Sequence, residues 1–158
     1  MIKKIAIISM ALLLFCLCGV APVSAQDETP QVVMQGRGQL IAGDIVGNAV
    51  LSVNTQTGMA RIHVTFRGGF LLSGHPDLPE QWVTGIYGQG EIESWAVDGS
   101  RVTINVEDSQ SYLLPSHDLV PESGIGQIVG DITGPGKRGT IDLPDSEFTE
   151  FTGIIIIR

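Results

Sequence analysis

The chain has 158 residues, 43% hydrophobic and 16% charged, with 17 acidic against 9 basic side chains and a net charge of −8. An acidic balance of this size argues against a nucleic-acid partner and against anionic membrane surfaces, both of which attract basic patches. It is compatible with cationic partners or divalent cations, and it also serves plain solubility.

The first 25 residues set the destination. Lys3 and Lys4 form a short basic start, Ile5 to Val20 is an uncharged apolar run, and Val23-Ser24-Ala25 supplies the small-x-small spacing of a cleavage site. That is the pattern of a secretory signal peptide cut before Gln26. The run of 16 residues is short for a membrane span, which needs about 20. Lipid attachment at Cys16 or Cys18 would want a small preceding residue, whereas Phe15 and Leu17 precede them. The expected product is secreted, either periplasmic or extracellular, with no membrane span in the mature chain. Loss of residues 1–25 leaves 133, enough for one domain with its own core. It also removes both cysteines, hence any internal disulfide, and with Lys3 and Lys4 gone the net charge becomes −10.

Residues 26–35 are polar at first and contain Pro30, and they read as a flexible leader. Residues 36–158 read as one β domain. No long window shows a sustained helical period, and glycine is scattered throughout. Short β-branched runs alternate instead. Ala49, Leu51 and Val53 form one set, Ile62, Val64 and Phe66 a second, and Val102, Ile104 and Val106 a third. A period of two puts one set inside and its neighbours toward water. Asn54 to Gly58 is the turn between the first two runs. Asp98-Gly99 predicts a two-residue hairpin of type I′, which needs positive φ at both central residues. Gly134-Pro135-Gly136 marks another reversal. Pro144 to Phe151 is the one helical candidate, at most two turns long. Thr152 to Arg158 carries four consecutive isoleucines, so it is expected to be buried on both faces or to close a sheet.

The chain also resembles itself. An offset of 42 aligns residues 60–88 with 102–130 without a gap, with nine of 29 positions identical. His75 matches His117, and Pro79-Glu80 matches Pro121-Glu122. The expected fold is therefore all-β, a single-domain antiparallel barrel or sandwich of about eight to ten strands, partly built from a repeat of about 42 residues. An outer-membrane barrel is disfavoured, because nine aromatic residues are too few for two interface girdles.

Two loops at matching places in this repeat, residues 71–80 and 113–122, each offer one Ser, one His, one Asp and one Glu. The candidate ligand-binding residues are His75, Asp77, Glu80 and Trp82 from the first region and His117, Asp118 and Glu122 from the second. His and carboxylates are proper ligands for zinc-like metals, but neither loop contains a His-x-His or His-x-x-x-His pair. A Ser/His/Asp nucleophile would be recognised by geometry rather than adjacency, and no Gly-x-Ser-x-Gly elbow is present. Asp142, Asp145 and Glu147, with Glu150, form an oxygen-rich acidic cluster and are the candidate metal ligands, for calcium, although their spacing differs from that of an EF-hand. Trp82, Tyr87, Trp95, Phe70 and Tyr112 are the aromatics available to line a ligand cleft. No cofactor is implied, although a divalent metal is compatible. The reading these features favour is a non-catalytic binding or interaction module acting outside the cytoplasm, on a protein or small-molecule ligand. A small secreted enzyme using the His/Asp/Glu loops is the first alternative, and an assembly subunit of a surface layer is the second.

Overall fold

The computed structural model describes residues 29–121 and 123–158. The signal peptide expected over residues 1–25, with Cys16 and Cys18, lies outside the described residues.

Nine strands follow in chain order: β1 (Val32–Ala42), β2 (Ile45–Asn54), β3 (Met59–Leu72), β4 (Gln81–Asp98), β5 (Arg101–Leu114), β6 (Leu119–Val120), β7 (Gln127–Ile132), β8 (Arg138–Asp142) and β9 (Phe151–Ile157). From β1 to β5 and from β7 to β9, each strand pairs antiparallel with the next. The last strand, β9, returns to β1, from Val32↔Ile157 to Arg37↔Thr152. Both β6 and β7 lie against β5, through Tyr112↔Leu119 and through Arg101↔Asp131 to Asn105↔Gln127. They act as one interrupted strand, and the sheet closes as an antiparallel up-and-down barrel. Closure pairs most of the strand edges around the ring, and the short β6 is paired on its β5 side alone.

The alternation read from the sequence decides which side faces in. Val32 and Met34, then Ala49, Leu51 and Val53, then Ala60, Ile62, Val64 and Phe66, and Val102, Ile104 and Val106 are all buried. Their neighbours Gln35, Arg37, Ser52, Arg61 and Glu107 are exposed. The interior is apolar, while the outer wall mixes these polar side chains with exposed Ile41, Val46, Val50 and Ile154. No helix among the described residues is long and apolar enough to cross a membrane.

The interior is filled by matching large side chains to glycines. Phe151 is fully buried and lies across Gly38, where an added Cβ would stand 3.0 Å from the ring. Met34, Leu51, Ile104, Ile128, Ile141 and Ile155 are also fully buried. The chain ends tie one end of the barrel. Gln31 and Arg158 exchange two backbone hydrogen bonds of 2.9 Å, and the Trp95 indole N–H donates to the Pro30 carbonyl at 2.8 Å. Buried Thr55 accepts the Val32 N–H at its hydroxyl, 2.8 Å away, and donates its own N–H to the Val32 carbonyl at 3.0 Å.

Several local expectations change. The first strand begins at Val32, inside the stretch read as leader, because residues 32–37 pair with β9. Asp98 pairs with Arg101, so the central turn residues are Gly99 and Ser100, with positive φ at Gly99 alone; that is the type II′ pattern rather than I′. Pro144 to Phe151 is not helical. The Ser146 hydroxyl donates to the Leu143 carbonyl at 2.6 Å and accepts the Phe148 N–H at 3.3 Å, while Asp145 takes φ +60°. Side-chain bonds of this kind compete with a helical turn. The isoleucine strand does close the sheet, but it is not buried on both faces: Ile155 is fully buried and Ile154 is 48% exposed. One edge of β9 pairs with β1 from Thr152 to Ile157, and the other pairs with β8 from Phe151 to Ile154. The repeat of about 42 residues is not shown by this plain meander, in which 18-residue β4 corresponds to six-residue β7.

Candidate functional site

One end of the barrel gathers the turn 43–44, the loops 73–80 and 115–118, and the segments 123–126 and 143–150. Strands β3, β4 and β5 are long, at 14, 18 and 14 residues, and they project past their neighbours on this side. Two irregularities bend them. Gly68 and Gly69, at φ +84° and +70°, sit in a bulge of β3, and Asp108 at φ +45° sits in one of β5. A bulge bends its strand and re-aims the side chains beyond it. The bulge in β5 has a direct consequence. Continuing the alternation from Val106 would send Tyr112 inward, but Ser111 and Leu113 are the buried residues, and Tyr112 pairs with Tyr87 and donates its hydroxyl to Gln110.

One side-chain bond links the start of β4, just after the first loop, to the second loop. The Gln81 side-chain amide donates to Asp118 Oδ2 at 2.8 Å. Gln81 was not among the expected site residues. Within the first loop, His75 Nδ1 accepts the Asp77 N–H at 3.1 Å, and Asp77 and Glu80 are exposed. Within the second, the N–H of His117 donates to the Leu113 carbonyl at 2.8 Å, and that of Leu113 to the Asp118 carbonyl at 2.9 Å. His117 holds φ +66° and is exposed. Trp82 is 55% exposed, and its indole crosses Gly69, where an added Cβ would lie 2.6 Å from Nε1. Glu122 lies outside the described residues.

Other expected constellations are not assembled. Among the described residues, no three His, Cys, Asp or Glu side chains are grouped in a way that could hold a metal ion. Asp142 lies exposed at the end of β8, while Asp145 and Glu147 belong to the segment over the barrel mouth. Phe70 packs edge-on against Phe66 with ring centres 5.1 Å apart, and Trp95 stands at the opposite end of the barrel.

The mouth itself is a cavity of about 420 Å³. Ile62, Val64, Ile86 and Ser111 form its floor and wall, and Leu40, Val120, Ile125 and Phe148 continue the apolar lining. Ser123, Gly124, Asp145, Ser146 and Glu147 complete it. Both rim segments are pinned to the wall. Segment 143–150 is held to β1 by Ile41 N–H to the Glu147 carbonyl at 3.0 Å, Thr149 N–H to the Gln39 carbonyl at 2.7 Å, and Gln39 N–H to the Thr149 hydroxyl at 2.9 Å. Segment 123–126 is held by Ile125 N–H donating to the Ser109 hydroxyl at 2.6 Å. The cavity is therefore built into the fold, and its size and mixed lining are those of a small-molecule pocket.

Sequence reasoning missed this cavity while naming two of its acidic residues. The inward parity of Ile62 and Val64 was visible; which side chains stand across the mouth from them was not. No protein-family model, curated protein or solved structure is detectably similar to the chain.

Proposed function

We propose that this chain is a non-catalytic binding module, acting outside the cytoplasm, that takes a small molecule with an apolar body into the barrel mouth. The observation that carries the reading is the preformed cavity of about 420 Å³ above a core otherwise filled by side chains. An eight-stranded barrel either packs its interior completely or leaves room for one small ligand, and here buried side chains fill the middle of the barrel while the mouth leaves room beside Ile62, Val64 and Ile86. The destination rests on the basic, apolar and small-residue pattern of residues 1–25.

The test uses the environment-sensitive fluorophore N-phenyl-1-naphthylamine, which brightens in apolar sites. Residues 26–158 are expected to bind it with a single saturable site. Val120→Phe, at the half-buried wall, and Ser111→Leu, at the buried floor, each fill the cavity and are expected to abolish that signal. Circular dichroism of each variant reports folding separately. Equal binding by wild type and two folded variants would refute the mouth as the site.

A further inference from the structure

The polar groups of the mouth differ from floor to rim. The floor is apolar apart from the Ser111 hydroxyl, with Val64 fully buried and Ile62 and Ser111 nearly so. Asp145 and Glu147 stand in the exposed rim segment, and both contribute to the lining. No Lys, Arg or His is among the described residues that line the cavity. The chain as a whole carries 17 acids against 9 bases, so the long-range field has the same sign as the rim.

We infer that the mouth selects an apolar molecule that carries an amine, its hydrocarbon part seated on Ile62, Val64 and Ile86 and its ammonium group at Asp145 and Glu147. This deepens the reading of the mouth as a ligand site and rests on it. An apolar tail gains by leaving water for the floor. An ammonium group left at the exposed rim keeps part of its hydration and gains the attraction of two carboxylates, whereas a fatty carboxylate meets repulsion from both. An uncharged alcohol experiences neither effect. The three head groups on one tail therefore separate the apolar contribution from the charge.

The experiment is displacement of bound N-phenyl-1-naphthylamine by decylamine, decanol and decanoate, each below its micellar concentration, at neutral pH and low salt. Decylamine is expected to bind about tenfold more tightly than decanoate, with decanol between them. The preference should shrink as salt is raised. In the Asp145→Asn/Glu147→Gln double variant the gap should close to within about twofold. Asparagine tolerates the positive φ of Asp145, so the exchange suits the rim backbone. Equal affinities for amine and acid in the wild type, tighter binding of the acid, or a preference that survives the double variant would overturn the inference while leaving the mouth as a site. Displacement by none of the three would overturn both.

Discussion

The contact between Phe151 and Gly38 yields a prediction that can be worked through quantitatively. Phe151 is fully buried, and its ring lies where a side chain on residue 38 would go: an added Cβ would sit 3.0 Å from Cγ, 3.0 Å from Cδ1 and 3.2 Å from Cδ2. Phe151→Ala removes the ring and leaves a cavity, at a cost of about 3–5 kcal/mol. Gly38→Ala alone forces the ring aside, at about 1–3 kcal/mol. That loss is offset in part by about 0.5–1 kcal/mol, because alanine has less backbone freedom than glycine to surrender on folding. With the ring already gone, the same methyl group meets no clash and recovers some buried apolar contact, so Gly38→Ala should then stabilise by about 1 kcal/mol. The expected coupling is about 2 kcal/mol, favouring the double variant over the sum of the singles. Urea unfolding of wild type, both singles and the double, followed by tryptophan fluorescence, gives all four stabilities from midpoints and slopes. Additivity within about 0.5 kcal/mol would refute the argument that this glycine is present to make room for this ring.

Further outcomes follow from the hydrogen bonds that hold the barrel ends. Thr55→Val leaves the Val32 N–H without its hydroxyl acceptor in a buried position, and it should cost about 1–3 kcal/mol, whereas Thr55→Ser should restore most of the loss. Equal unfolding midpoints for the valine and serine variants would remove that hydroxyl from the account. Gln81→Leu breaks the bond to Asp118 that links the start of β4 to the second loop. Its effect on global stability should be about 0.5–1.5 kcal/mol, but amide hydrogen exchange should accelerate locally at residues 116–118. Unchanged exchange there would show that each loop holds its shape independently of the other.

How much of this molecule was legible in its sequence depends on the range of the interaction concerned. Strand faces were legible wherever alternation ran unbroken, as at Ala49–Leu51–Val53 and Ile62–Val64–Phe66, because inside and outside follow from a period of two within one strand. Glycines at turns, such as Gly58 and Gly99, announced reversals through local backbone freedom. Where a long-range pairing intervened, local signals misled. The bulge at Asp108 reversed the parity of β5 and turned Tyr112 outward, and Ser146 spent its hydroxyl on neighbouring backbone where a helical turn was expected. The two histidine loops stand at matching places in a repeat that the meander does not show, and the bond between their neighbourhoods runs from Gln81 to Asp118, which face each other because β4 and β5 pair and project past the rest of the barrel. Composition and periodicity establish an acidic all-β chain with an apolar interior, since those properties belong to single residues and their near neighbours. The closure of β9 on β1, and the cavity left at one mouth, depend on which side chains face one another across the ring. That is a sum over contacts far apart in the chain, and only the folded arrangement brings those partners together.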